Sequence, residues 1–299
     1  MGDGAKRTLI TWRAMLLGAH VSTAGGLVKA HERGVESESE SIQIFNQSPR
    51  MWRPTQWKQD DVDAFRSRMG AGPIESVVIH AVYLINVASK DGEIRRKSLN
   101  SLSHALRTGD AIGADGVVFH PGSTVGEPLD ESIERVGDAI RHVLGESERC
   151  PLLLEDTAGA GGTIGRDFHE LARLIELGGG GKRLGICLDC CHMFASGYDI
   201  STADKLAEVV DDCASIVGLD RLHCLHVNDS ATGLGSNRDR HAKMAEGGLG
   251  SRGLAAFLSE PRFEGLPALL ETKLDAEQVA IAKKLRRNGL AARKRRAGA

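Results

Sequence analysis

From Met15 almost to the C-terminus, short apolar runs alternate with longer stretches whose apolar positions recur every three or four residues. Runs of the first kind read as strands covered on both faces, and stretches of the second kind as helices with one buried face. The runs predict strands over 15–20, 41–45, 76–80, 116–120, 151–155, 184–189, 222–228 and 267–271. Helices are predicted near 24–35, 59–69, 91–112, 130–146, 166–177, 202–217, 249–259 and 275–288, several opened by caps or acidic first turns such as Asp130, Ser201 and Asp275. Strict alternation of this kind argues for an α/β chain folded as a closed (β/α)8 TIM barrel. A doubly wound open sheet is the competing arrangement, but an open sheet of eight strands is less common.

A closed barrel makes a further prediction, because its chemistry sits at the C-terminal ends of the strands. Strands three to eight run out on His80, His120, Glu155, Asp189, His226 and Glu271. These are all metal-ligand types, and closure would gather them at one mouth. His192 follows strand six by three residues, and a long loop after strand seven carries Asp239 and His241, which are close enough in sequence to grip one ion together. The set holds five imidazoles and four carboxylates. One zinc takes about four ligands, so nine suit three ions if one carboxylate bridges.

Composition narrows the class. The chain has 299 residues, 41% hydrophobic and 26% charged, with only 4% aromatic, which describes a globular protein with an aliphatic core. No apolar run approaches the ~20 residues that cross a bilayer. Lys6 and Arg7 precede an apolar stretch, but Arg13 interrupts it, so a secretory signal is not expected. Three of the six cysteines (Cys150, Cys187, Cys190, Cys191, Cys213, Cys224) crowd one strand end. That is a poor disulfide framework, so the chain reads as reduced and cytoplasmic, at the nucleoid if prokaryotic. Net charge is −2, unevenly spread: residues 276–299 hold eight basic side chains against Glu277, leaving −9 on the rest. Such an end is either a solvated tail or an arm for a polyanion. The domain reading is an extension over 1–14, one catalytic barrel over 15–288 and a basic tail over 289–299.

Other signals read as structural. Cys187 and Cys190 form a lone CxxC without a second pair, so the thiols are taken as packing. Gly178–Lys182 has the strand and helix in the wrong order for a phosphate loop and is a turn. His20 ends strand one without a neighbouring carboxylate motif, which makes it a supporting residue rather than a ligand. His31, His104, His142, His169 and His223 fall at helical or opposite-facing positions.

With these residues assembled, the chain resembles the endonuclease IV family, within the xylose-isomerase-like barrel superfamily, over roughly residues 16–285. The likeness runs through Gly18-Ala-His-Val-Ser22, Tyr83-Leu-Ile-Asn86, Phe119-His-Pro-Gly-Ser123, Glu155-Asp-Thr-Ala-Gly159, Leu188-Asp-Cys-Cys-His192, His226-Val-Asn-Asp229, Asp239-Arg-His241 and Leu270-Glu-Thr272. The resemblance implies three Zn2+ ions: one on His80, His120 and Glu155; a second on Glu155, Asp189, His226 and Glu271; a third on His192, Asp239 and His241. It implies a DNA-repair hydrolase that acts on double-stranded DNA at abasic sites. Cleavage is 5′ to the lesion and leaves a 3′-hydroxyl and a 5′-deoxyribose phosphate, with 3′-end trimming as a companion activity. Glu155 and Glu271 would be catalytic, and Arg50 with the Tyr83-Leu84 pair would enter the damaged duplex. A monomer without organic cofactor or membrane contact is expected. Two departures stand out: Ala245 where the family usually has Gly, and Val82 where it has a small or polar residue. A metal-dependent sugar isomerase or epimerase of the same barrel type is the enzymatic alternative. A non-catalytic DNA binder working through its basic end is another.

Overall fold

The computed structural model describes residues 14–272 and 276–298. The expected extension over 1–14, apart from Ala14, and the cap expected at Asp275 lie outside the described residues. All eight predicted strands form: β1 (Leu16–His20), β2 (Ser41–Phe45), β3 (Ser76–His80), β4 (Gly116–Phe119), β5 (Leu152–Glu155), β6 (Leu184–Asp189), β7 (Leu222–His226) and β10 (Pro267–Leu270). They close a parallel barrel in the order β1-β10-β7-β6-β5-β4-β3-β2. Two short strands, β8 (Asp229–Ser230) and β9 (His241–Ala242), pair antiparallel inside the long loop after β7.

The helices are α1 (Leu27–Glu36), α2 (Gln59–Ala71), α3 (Gly92–Ile112), α4 (Leu129–Gly145), α5 (Phe168–Leu177), α6 (Cys190–Ser196), α7 (Ala203–Ile216), α8 (Gly250–Phe257) and α9 (Ala276–Ala297). Local chemistry sets several starts. The Asp91 carboxylate accepts from the backbone N–H groups of Glu93 and Ile94 at the head of α3, and Asp167 and Thr202 cap α5 and α7 in the same way. Replacing such a cap by alanine costs about 1 kcal/mol. None of the described helices is long and apolar enough to cross a membrane.

Two apolar layers follow from the strand periodicity. The larger one fills the space between barrel and helices and includes Phe65, Phe119, Phe168, Phe257 and Phe263. The smaller one lies inside the barrel and consists of Val78, Val118, Leu153, Cys187, Cys224 and Leu269, all fully buried. All six cysteines are buried and free.

The last helix differs from expectation. The helix expected over 275–288, with a tail over 289–299, instead continues as α9 to Ala297. Gly289 is where α9 crosses α8: a β-carbon there would stand 2.2 Å from the Ala255 carbonyl oxygen, so the two backbones approach as only glycine allows. Beyond the crossing, Arg293 donates to the Ser259 carbonyl and Arg296 pairs with Asp204 at 2.8 Å. Earlier in α9, Arg286 pairs with Glu264 at 2.6 Å, and the same carboxylate oxygen accepts from the backbone N–H of Met15 at 3.0 Å. One acid thus ties the first strand to the last helix.

Candidate metal centre

Side chains of a strand alternate between faces, so residues two apart point the same way. Two positions beyond each member of the inner apolar layer stand His80, His120, Glu155, Asp189, His226 and Glu271. The six strand-end residues therefore share the barrel axis, one level above a dry floor. Register places Asp189 beside His226.

α6 brings in the seventh residue. It was not expected as a helix, because its seven residues merge with the apolar run of β6. Asp189 starts it: Oδ1 accepts from the backbone N–H of Cys191 and of His192, while Oδ2 faces the axis and accepts from Asn228 Nδ2 at 2.6 Å. One carboxylate thus caps the turn that delivers His192 and joins the cluster itself. The remaining pair comes from the β8–β9 ribbon, which Asp229 anchors. Its carboxylate accepts from the backbone N–H groups of Ser230, Gly247, Leu249 and Gly250, closing the loop so that Asp239 and His241 hang over the mouth.

The nine predicted residues form three sets of converging donor atoms: His80, His120 and Glu155; Glu155, Asp189, His226 and Glu271; and His192, Asp239 and His241. Glu155 belongs to two of them. Cys191 also lies close to Asp189 and His241, and the Cys187 and Cys224 thiols sit beneath His226. Glu155, Asp189 and His226 are completely buried, whereas the Asp239 side chain is 48% exposed. The centre is closed below and open at the rim.

Hydrogen bonds fix which ring nitrogen faces the cluster. His80 Nδ1 donates to the Ala81 carbonyl at 2.6 Å and His192 Nδ1 to the Asp156 carbonyl at 2.9 Å, since carbonyls only accept. Their Nε2 atoms turn inward, 3.2 Å from Glu155 and 3.3 Å from Asp239. His226 is reversed: Nε2 donates to Gln43 Oε1 at 2.8 Å and Nδ1 faces Glu155 at 2.9 Å.

These separations fit metal ligands. Atoms about 2.0 Å from a tetrahedral ion are about 3.3 Å from each other. His120 stands 3.3 Å from Glu155, and His241 Nε2 stands 3.2 Å from Asp239. That buried His241 nitrogen makes no hydrogen bond despite the short distance. Two donors that share space without bonding each other point at a common third party. Among the described residues, the ion-pair partners of Glu155, Asp189 and Asp239 are all histidines, with no Lys or Arg.

Without an ion, protons must compensate the buried acids. Burial opposes charge on every group, but the facing opposite charges win at most of them. His192 and His226 are pushed well above the ordinary imidazole value, chiefly by Asp189 and by Glu271 respectively, and His80 and His241 are raised too. Glu155 is held well below the carboxylate range by His120 and His226, Glu271 lies at about 2, and Asp239 is lowered by His192 and His241. His120 is lowered, because its burial outweighs Glu155.

The expected DNA-contacting residues lie on the rim. Tyr83 is 64% exposed, with its ring 5.2 Å from Phe45 and 5.8 Å from His80. Burial of its hydroxyl and the Glu271 and Glu155 carboxylates push it to about 12, and Arg50 acts on it in the opposite sense. Arg50 is exposed in the turn after β2, whereas Leu84 is half-buried against the core. Four residues not singled out as site residues support the centre from behind: Asp156, Asn228 and Asp229, which lie inside motifs of the family resemblance, and Gln43, which lies in none. Gln43 escaped because β2 runs two residues further, to Phe45, so its polar inward position is not the strand end. Ala245 sits at φ 68°, a left-handed conformation in which glycine is free of strain.

An eight-stranded parallel barrel with converging ligand types at its strand ends defines the class, and a family profile described as xylose isomerase-like TIM barrel matches residues 32–292. Within that class the chain is 40% identical to the probable endonuclease 4 of Halothermothrix orenii, over 86% of this chain and 93% of that protein. It is 38% identical to the probable endonuclease 4 of Geotalea daltonii, over 86% and 90%. The crystal structure of endonuclease IV from Thermus thermophilus superposes with a TM-score of 0.81 at 36% identity, covering 93% of this chain and 99% of that one. The chain belongs to the endonuclease IV family. A D-tagatose 3-epimerase-like protein, at 18% identity and a TM-score of 0.72, shares the fold alone.

Proposed function

We propose that this chain hydrolyses the DNA phosphodiester 5′ to apurinic/apyrimidinic sites through a trinuclear zinc centre, leaving a 3′-hydroxyl and a 5′-deoxyribose phosphate, and that it trims blocked 3′ ends. The observation that carries the reading is the third donor set. His192 from α6 and Asp239 and His241 from the ribbon meet beside two sets already complete on the barrel strands. His80, His120 and Glu155 would hold one zinc; Glu155, Asp189, His226 and Glu271 a second; His192, Asp239 and His241 the third. When bound, the ions supply Lewis acidity, a nucleophile at neutral pH and charge to match a phosphoryl group.

The side chains define the rest. Glu271 is held at both carboxylate oxygens, by Gln43 at 2.7 Å and Asn228 at 3.2 Å, so its position is set before substrate arrives and it orients the attacking water. Glu155 is wholly buried and joins two donor sets, which keeps them at a constant spacing. The half-exposed Asp239 and the His241 beside it face the strand being cut. Tyr83, Leu84 and Arg50 enter the gap left by the missing base, where the cost of unstacking is least. The tie to abasic DNA rests on these rim residues and on family membership.

The decisive experiment counts metal on the purified chain and follows cleavage of a duplex with one abasic site, with and without chelator. Three metals per chain and chelator-sensitive incision 5′ to the lesion are expected; an intact duplex refutes the reading. Arg50→Ala should weaken binding to abasic duplex about tenfold while metal content stays constant, as measured by titration and metal analysis. Unchanged binding would remove Arg50 from the contact.

A further inference from the structure

The ring of strand-end ligands has a gap at β2, and Gln43 fills it. The side chain is completely buried. Its amide makes three bonds to three other strand ends. Nε2 donates to Glu271 Oε1 at 2.7 Å and to His20 Nδ1 at 3.1 Å, and Oε1 accepts from His226 Nε2 at 2.8 Å. The amide can sit only this way round. Turned over, its oxygen would face the Glu271 carboxylate, where neither partner can donate.

Each bond constrains a different freedom. Donation to Oε1 fixes the rotation of Glu271, whose Oε2 meets Asn228. Acceptance from His226 Nε2 keeps a proton on that nitrogen, so that Nδ1, which faces Glu155 and Asp189, is the nitrogen left for a metal. Donation to His20 Nδ1 anchors the amide. His20 is held in turn by Phe45, whose ring centroid lies 4.3 Å away on the same strand as Gln43. The supporting role expected of His20 is therefore to hold this amide.

We infer that Gln43 is a positioning residue for the metal centre: one amide sets the tautomer of His226 and the orientation of Glu271, so that both offer their donor atoms to the same ion. The inference rests on the metal-dependent reading above. Partners of this kind that orient metal ligands typically change metal affinity or activity about 10- to 100-fold when removed.

The test uses the metal-loaded wild type beside Gln43→Met, which is similar in volume but cannot make these bonds, and Gln43→Glu, which keeps an acceptor for His226 but sets a second carboxylate against Glu271. Metal per chain is measured after dialysis against graded chelator. Both variants should lose metal at about 10- to 100-fold less chelator than wild type, and kcat on abasic duplex should fall with KM unchanged. Chelator curves that superpose on wild type overturn the inference. Nitrogen-15 NMR of the imidazoles in the metal-loaded wild type gives a readout that needs no variant: there the His226 proton should be on Nε2 alone, and a proton on Nδ1 overturns the inference even if Gln43→Met does not fold. Gln43→Glu should keep that signature and Gln43→Met should lose it. A wild type that holds metal but leaves abasic DNA intact refutes the nuclease reading alone, and the chelator curves then still decide Gln43. A wild type that binds no metal refutes both.

Discussion

The barrel interior holds two layers built on the same strands, about 6.6 Å apart along each strand. Val78, Val118, Leu153, Cys187, Cys224 and Leu269 form the lower one, and each is followed two residues on by a member of the upper one, from His80 to Glu271. The lower layer is fully buried, with no charged group, and it is stabilised by transfer from water, at roughly 1.5–3 kcal/mol for a large aliphatic side chain. The upper layer gathers buried carboxylates and imidazoles, whose desolvation costs energy unless opposite charge compensates it. One layer contributes stability and the other uses it. The pairing means that each candidate ligand stands on a packed residue, which limits how far its backbone can shift.

The two layers respond to different substitutions. The largest effect is expected above the floor: Glu271→Gln removes one charge with little change in shape and should lower kcat on abasic duplex by about 10³-fold, while duplex affinity in a gel-shift titration stays near wild type. Full activity in that variant would end the role of Glu271. Below it, Leu153→Ala should cost about 2–5 kcal/mol of stability by chemical denaturation through the cavity it leaves, with metal per chain unchanged. Loss of metal would show that the layers are not separable.

Acidity should act on the upper layer alone. In the metal-free chain His80, His192, His226 and His241 hold protons beyond the ordinary imidazole range, because the facing carboxylates outweigh burial. A metal held by these imidazoles would have to displace those protons, so its affinity would rise with pH through the raised values and fall as pH drops below them. Metal retention against chelator should therefore weaken about tenfold for each unit between about pH 7.5 and 5.5, for every proton released. A flat profile would show that these imidazoles are not the ligands. The smallest effect belongs to the loop that delivers Asp239 and His241. Ala245→Gly relieves the positive φ and should raise stability by about 0.5 kcal/mol, once the greater freedom of glycine in the unfolded chain is counted. A lower melting temperature would contradict this.

Most of the candidate centre was legible because ligand types stood at the ends of apolar runs, where a barrel puts its chemistry. His80, His120, Glu155, Asp189, His226 and Glu271 needed only the fold to be gathered. Gln43 was harder to see, because its strand continues to Phe45 and an amide carries no charge to mark it. α6 was hidden by composition: Cys190, Cys191, Met193 and Phe194 prolong the apolar run, and only the cap made by Asp189 turns it into a helix. Arg50 and Tyr83 came from the resemblance, since neither position has a periodicity of its own. The end of α9 differs from the expected tail because the basic run beyond 288 packs as helix where Gly289 lets it cross α8, a contact that charge alone does not show.

The carboxylate of Glu264 receives Met15 from 249 residues away, and β1 finds its second neighbour only in β10. While a ribosome is still making the chain, β1 therefore waits with one edge open until the last strand has emerged. That unpaired edge is a template for other chains, and the closing contact is about as non-local as this polypeptide permits, which slows folding. The seam between β1 and β10 is thus where a crowded cell has the longest time to intervene, by chaperone or by aggregation.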